Sequence, residues 1–395
     1  MRPSEGGAMA RTCPGEGGVT AFARPGDGGE KATITRRAPG KLFIAGEFAV
    51  VEPGQAAVLV AVDRYVTATA TAGPGSDVCI VSDMAAGARR FERTGTTLSG
   101  DSSGVRHAVS AIETVEQWVA EFGQRPAAVE VRIDSALHDG GVKYGLGSSA
   151  AVTVAVAAAV SAFHGMRLSA GELFRLAMIA TVRIDARSSG ADLAASAFGG
   201  WIAYRSPDRA QIRTLVGRDG VGAALRARWP GLAVRRLPAP AGADLLVGWT
   251  GTPALTADRI AALDTRNWWR TAGYARFARN SDECVRGVAA ALRGEHPDEL
   301  LRQIHRARRL LTGLDTATGL GIFTERLAAL CAAAETAGGA AKPSGAGGGD
   351  CGIALLGTGD PDRRTELTDR WRAADIRPLP LAVAYPEGTP VDQQS

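Results

Sequence analysis

Residues 129–164 place an alternating strand, a glycine-rich loop and a long apolar helix in immediate succession, and the loop restricts what that joint can be for. Val129-Glu-Val-Arg-Ile-Asp-Ser alternates apolar and polar side chains at the period of a half-buried strand. A glycine loop at 140–147 follows, and Ser148-Ser149-Ala150 opens an alanine- and valine-rich helix running to about residue 164. Glycines let backbone amides approach an anion, and the first turn of the helix offers unsatisfied N–H groups at its positive end. The hydroxyls of Ser148 and Ser149 can cap that helix, donate to a phosphate or ligate Mg2+. The segment predicts a phosphate cradle. The competing reading is a tight strand-to-helix turn with a serine cap.

Two nucleotide patterns compete for the same glycines. Gly145-Leu-Gly-Ser-Ser-Ala fits G-x-G-x-x-[GA], and Gly347-Gly-Gly-Asp-Cys-Gly fits G-x-G-x-x-G. A dinucleotide site needs a strand after the helix and an acidic residue about 20 positions on. Here a second helix follows, opened by the capping-box pattern Ser169-Ala-Gly-Glu, while the later glycine run follows a helix and precedes a strand. Neither segment matches GxxxxGK[ST], so dinucleotide and P-loop sites are both disfavoured.

Composition narrows the class further. At 395 residues, 45% hydrophobic and 22% charged, the chain has the make-up of a folded protein of two domains. A net charge of +4 without basic runs interleaved by aromatics argues against nucleic acid. Five scattered cysteines without a CxxC argue against a disulfide framework or zinc site and suit a reducing cytoplasm. No apolar leader is visible, and the most apolar stretch, 150–163, is short for a membrane span, so a soluble, cytoplasmic protein is expected. Glycine is in excess, 50 against roughly 28 at average usage. Of 45 basic residues only four are lysine: Lys31, Lys41, Lys143 and Lys342. The last three all sit in glycine-containing loops.

Residues 1–32, rich in Gly, Pro, Glu and Arg without a hydrophobic period, read as a disordered extension. Strands mixed with helices in both halves predict an α+β fold in two parts, residues 33–210 and 211–395. Helices are expected at 107–122, around 256–293, 297–314 and 319–337, and a last strand at 380–385.

Three segments concentrate the chemistry: Ala38-Pro-Gly-Lys-Leu-Phe-Ile-Ala-Gly-Glu-Phe, Lys143-Tyr-Gly-Leu-Gly-Ser-Ser-Ala-Ala, and Lys342-Pro-Ser-Gly-Ala-Gly-Gly-Gly-Asp-Cys-Gly. With these loops in this order, the chain from about residue 36 to 386 resembles the GHMP kinases, the family of galactokinase, homoserine kinase, mevalonate kinase and phosphomevalonate kinase. Phe198-Gly-Gly-Trp-Ile-Ala-Tyr and the Gly-Asp-Cys-Gly of the third segment look most like the bacterial-type phosphomevalonate kinase branch. Mevalonate kinases usually carry His where Phe48 stands. The resemblance implies an N-terminal α/β domain with a glycine-rich ATP loop, a C-terminal ferredoxin-like α+β domain, and an active site between them. It implies ATP and Mg2+ as cofactors and phosphomevalonate as the acceptor. Mevalonate or another small molecule is the alternative acceptor, and a catalytically silent, metabolite-binding paralogue is the non-enzyme alternative.

Phosphoryl transfer needs charge neutralised on the γ-phosphate, in-line positioning, and a destination for the acceptor's proton. Lys41 is the expected bridge between the transferred phosphoryl and the acceptor. Asp192, in Ser189-Gly190-Ala191-Asp192, matches the family's Ser-Gly-x-Asp aspartate, which implies a carboxylate paired with Lys41 as base or orienter; it can also cap the helix that follows. The resemblance assigns Lys143, Gly145, Leu146, Gly147, Ser148, Ser149 and Ala150 to ATP, with Ser149 on Mg2+. It assigns Lys41, Ser189, Gly190, Ser344, Gly345, Ala346 and Gly347 to the acceptor. Mevalonate kinases hold Mg2+ with a glutamate eleven positions before the aspartate, where this chain has Thr181; Asp185 is a stand-in. Arg64, Arg187, Arg308 and Arg309 are candidates for the acceptor phosphate, and Cys351 is expected to be a small buried residue.

Overall fold

The computed structural model describes residues 33–253, 261–263 and 267–385. Two long strands, β1 (Thr33–Ala45) and the Val-, Ala- and Thr-rich β2 (Ala56–Ala72), pair antiparallel, with register shifts between Pro39 and Gly40 and between Phe43 and Ala45. Pro39 has no N–H to give a ladder, and a register shift re-aims the side chains beyond it. Those side chains are the ones around Lys41.

The larger sheet grows from β2 on both sides. It adds β3 (Val78–Ser82), β4 (Ala88–Thr94), β5 (Thr97–Ser99), β6 (Val129–Ser135), β9 (Trp201–Arg205) and β10 (Ala233–Leu237), giving eight strands in the order β10-β9-β2-β6-β3-β4-β5 with β1 on β2. The two-residue strands β7 (His138–Asp139) and β8 (Val142–Lys143) form a small hairpin before the glycine loop. On the sheet pack α2 (Ser148–Phe163) and α4 (Ala191–Phe198), and against these helices lie α1 (Arg106–Glu121) and α3 (Ala170–Ile184), with α5 (Arg209–Arg226) against α1 and α3. α2 is apolar on all sides, which a helix can be only at the centre of a core; it touches β1, β2, α1, α3 and α4. The predicted capping box is present, with Ser169 and Glu172 satisfying each other's backbone N–H groups.

The smaller sheet holds β11 (Ala243–Trp249), β12 (Ala340–Pro343), β13 (Cys351–Gly357) and β14 (Arg377–Leu379), antiparallel in the order β12-β13-β11-β14. Helices α6 (Ala272–Arg293), α7 (Pro297–Thr318) and α8 (Glu325–Thr336) join β11 to β12, and α9 (Pro361–Ala373) joins β13 to β14. That is the ferredoxin-like order of strands and helices the resemblance implies.

Three features differ from the sequence reading. Residues 211–237 belong with the larger sheet, not the smaller: α5 buries Ile212, Val221 and Leu225, and β10 pairs with β9, so that layer runs to about residue 237 instead of 210. Gly217, Gly220 and Gly222 hid the helix from its sequence pattern, and Gly220 kinks it at φ 84°. The expected strand at 380–385 is a single bridge, Val62 to Val383, that carries the chain back onto the larger sheet. Of the helices expected around 256–293, residues 261–263 are helical and α6 covers Ala272–Arg293, with 268–270 a short 3-10 turn between them, while 256–260 and 264–266 lie outside the described residues. The expected extension at 1–32 lies outside the described residues. Among the described residues no helix is long and apolar enough to cross a membrane.

Candidate active site

A cavity of about 810 Å³ is lined by residues of both sheet units, within the range of small-molecule sites. Lys41 projects into it from β1 and is only 5% exposed. Its backbone N–H donates to the Leu146 carbonyl at 2.9 Å, and its Nζ lies 3.4 Å from the Gly145 carbonyl and 3.5 Å from Asp192 Oδ2. The first strand, the glycine loop and α4 therefore meet on one ammonium. Asp192 lies in the first turn of α4, but the N-cap is Gly190, at φ 78°, with no side-chain cap bond. The carboxylate turns to Lys41 instead of capping the helix.

The same holds at α2. Its N-cap is Gly147, with no side-chain cap, and neither serine hydroxyl bonds to a protein group among the described residues. The serine-capped turn is not what the loop builds; its helix N-terminus stays open to the cavity. Glycine is required here sterically. A Cβ on Gly147 (φ 79°) would sit 2.9 Å from Lys41 Cε, and one on Gly145 (φ 81°) 2.2 Å from the Asp350 carboxyl carbon.

Most expected contacts line this cavity: Lys41 and Asp192; Lys143, Gly145, Gly147, Ser148, Ser149 and Ala150; Ser189 and Gly190; Gly345 and Ala346. Three do not. The Leu146 side chain is buried in the core and only its carbonyl serves, by holding Lys41. Ser344 is buried and latches onto β1, accepting from Phe43 N at 2.9 Å and donating to Phe43 O at 3.2 Å. Gly347 turns away against Ile322, where a Cβ would meet backbone at 2.5 Å. Lys342 lies wholly inside the protein, ion-paired with Glu47.

The arginine candidates are placed elsewhere: Arg64 over the Tyr144 ring at 5.2 Å, Arg187 over Trp269 at 5.2 Å, and Arg308 on Glu335 at 2.6 Å. Neither these three nor Arg309 lines the cavity, whereas Arg106 does, beside His107. Burial, helped by the neighbouring Arg106, pushes the His107 imidazole down to about 4. The sequence reading missed Glu47, Arg106 and His107; the Gly-Glu turn of the first segment was the one available signal for Glu47. Thr181 and Asp185 both line the cavity, and the buried Thr181 hydroxyl has no partner among the described residues. Cys351 is buried as expected; its thiol donates to the Tyr144 carbonyl at 3.1 Å and burial raises it far above the usual thiol range. No group of three or more His, Cys, Asp or Glu side chains among the described residues is placed to hold a metal.

A cation, a carboxylate and an open helix N-terminus converging on one cavity suit transfer of a phosphoryl group between two bound molecules. Comparison with known proteins agrees. The GHMP kinases N terminal domain matches residues 106–200, and the GHMP kinases C terminal domain matches residues 288–376. The chain belongs to the GHMP kinase family. Within it, the chain is 51% identical over 364 residues to the phosphomevalonate kinase of Streptomyces sp. (strain CL190), covering 89% of this chain and 97% of that one. The Lin0012 protein from Listeria innocua superposes with a TM-score of 0.84 at 30% identity, over 90% of this chain and all (100%) of that one. The Streptococcus pneumoniae phosphomevalonate kinase, solved in complex with phosphomevalonate and AMPPNP, superposes with a TM-score of 0.78 at 28% identity, over 89% and 100%.

Proposed function

We propose that this chain uses ATP to phosphorylate (R)-5-phosphomevalonate to (R)-5-diphosphomevalonate, in the mevalonate route to isoprenoids. The observation that carries the reading is the Lys41–Asp192 pair, 3.5 Å apart beside the open N-terminus of α2, in a chain half identical to a phosphomevalonate kinase. The free amides of α2, the Ser148 and Ser149 hydroxyls and Lys143 at the rim hold the ATP phosphates. Lys41 lies between donor and acceptor and neutralises charge on the oxygens of the transferred group. The acceptor oxygen belongs to a phosphate monoester, whose second proton leaves near pH 6, so the nucleophile arrives largely ionised. Asp192 accordingly works mainly by holding Lys41 and aligning the acceptor, with little proton to remove.

The lining also fits Mg2+. Among the oxygens that the described residues bring to the cavity are the Ser149 hydroxyl, the Thr181 hydroxyl, which has no partner among those residues, and the Asp185 carboxylate, and no cluster of three or more His, Cys, Asp or Glu side chains placed to hold a metal is found among the described residues. Such a site suits a hard ion that keeps its waters and is held largely by phosphates, with Ser149 as protein ligand. Bound there, Mg2+ supplies further neutralisation of phosphate charge. Among the described residues the four cysteines are free and buried, in keeping with a reducing cytoplasm.

ADP release coupled to NADH oxidation, measured with mevalonate, phosphomevalonate, diphosphomevalonate and galactose, tests the reading. Turnover with phosphomevalonate is expected. Turnover with mevalonate but not phosphomevalonate would overturn it, and no turnover with any acceptor would indicate a silent paralogue.

A further inference from the structure

Arg209, in the first turn of α5, is only 6% exposed, and no carboxylate among the described residues forms an ion pair with it. Burying an unpaired guanidinium is costly, and an apolar side chain would fill the same space more cheaply. Its contacts explain its presence. Nη2 donates to the Val51 carbonyl at 2.5 Å, Nε to the Ala186 carbonyl at 3.2 Å, and Nη1 to Ser206 Oγ at 3.1 Å.

The first two acceptors belong to separate stretches that both face the cavity. Val50 and Val51 line it from the turn after β1, and Asp185, Ser188, Ser189 and Gly190 line it from the loop after α3. The third contact is relayed. The Ser206 hydroxyl reaches the Ser189 carbonyl at 3.4 Å, and the Tyr204 hydroxyl holds the same carbonyl at 2.6 Å. Gly190 is pressed onto this network, since a Cβ there would lie 2.9 Å from Tyr204 Oη. Asp192 stands two residues further on. Arg209 itself lines no part of the cavity, and it makes no bond to the ATP loop at 143–150.

We infer that Arg209 is the positioning residue of the acceptor half of the site: its fork fixes the turn at 49–51 against the loop at 185–190 and thereby sets the acceptor pocket beside Asp192. The inference rests on the reading of Ser189 and Gly190 as acceptor contacts. Three oxygens in diverging directions require a planar guanidinium; one ammonium cannot reach them together.

The test is steady-state kinetics of the full chain carrying Arg209→Met or Arg209→Lys, alongside thermal unfolding. Both variants are expected to raise KM for phosphomevalonate roughly 10–100-fold while KM for ATP stays within about twofold, because misplacement falls on one half of the site. A merely structural role would lower Vmax with the folded fraction and move neither KM; that result, or wild-type behaviour of Arg209→Lys, overturns the inference. If neither variant folds, Ser206→Ala decides. It cuts only the relay to Ser189, and an unchanged acceptor KM there overturns the inference. Wild-type turnover of another acceptor instead of phosphomevalonate overturns the proposed function alone, and the same KM split is then read with that acceptor. A wild-type chain that turns over no acceptor overturns both.

Discussion

Replacing Lys342 by Met tests how the two sheet units are held against each other. Lys342 comes from β12 and its partner Glu47 from the turn after β1; their side chains are 0% and 3% exposed. Lys342 Nζ also lies 3.4 Å from the Phe43 carbonyl, and the Glu47 carboxylate has no second partner among the described residues. Methionine nearly matches the lysine stem in volume, so the loss is electrostatic, with little cavity to add. Removing one partner of a buried pair leaves an uncompensated charge and costs about 3–5 kcal/mol. That is a large share of the roughly 5–15 kcal/mol that holds a native protein together. At about 2–4 °C per kcal/mol, Lys342→Met should melt about 6–20 °C below the wild type. Thermal and urea unfolding of Lys342→Met, Glu47→Gln and the double variant complete a cycle. The double variant buries no charge and should regain most of the single-variant loss. Single variants within about 1 kcal/mol of wild type, or a double variant equal to the sum of the singles, would refute the reasoning.

Lys41→Met should lower kcat by about 10²–10³, the scale of removing one preorganised charge, without changing Tm by more than a few degrees; an active variant would remove Lys41 from the chemistry. Asp192→Asn should cost distinctly less than Lys41→Met with phosphomevalonate, because the acceptor is already ionised; an equal or larger loss of kcat would make Asp192 an obligatory base. Gly147→Ala forces a side chain to φ 79° and pushes on Lys41 Cε, so kcat should fall more than the KM for ATP rises; unaltered kinetics would contradict the packing. Burial holds both His107 and His164 down to about 4. The unfolded chain takes up these protons at about 6.5 and the folded one does not, so stability is full above that pH and falls as pH drops toward 4, by up to about 1.4 kcal/mol per unit for each group. Urea midpoints at pH 7.5, 6 and 5 read the slope, His164→Gln should flatten it, and a flat wild-type profile would refute it.

What the sequence could and could not disclose follows from where the information lies. Lys41 and the glycine loop before α2 stood out in the sequence because lysine is scarce in this chain and glycine is concentrated in such loops, whereas Asp192 was marked by the Ser-Gly-x-Asp string that the resemblance carries. The roles within each loop were not. Leu146, Ser344 and Gly347 lie in the same strings as their cavity-lining neighbours, yet the turns point one into the core, one onto β1 and one against Ile322. Spacing along a loop with several positive-φ glycines carries no direction. Pairing across the fold was also invisible: Glu47 and Lys342 are separated by 295 positions, and no local pattern links them. With 45 basic residues in the chain, the arginine at the cavity could be chosen only once the start of α1 was placed beside it. The helix α5 was lost because its glycines break the apolar period, although its tertiary contacts suffice to hold it.

The choice between the two cations inside the protein follows from the number and spread of oxygens to be met. At Lys342 the acceptors are one carboxylate and one carbonyl, both near a single point. A guanidinium there would bring five N–H donors to two acceptors, and each buried donor left over costs about 1–3 kcal/mol. At Lys41 the nitrogen fits between the Gly145 carbonyl, Asp192 and the Phe43 ring at 5.2 Å, in a gap that exists because Gly147 has no Cβ. At Arg209 the three oxygens come from three stretches of chain, and a point charge could satisfy only part of that set. A chain that otherwise uses arginine almost throughout thus keeps lysine at Lys342, where a fork would leave donors unmet, and at Lys41, where one ammonium meets a carbonyl and a carboxylate at the cavity.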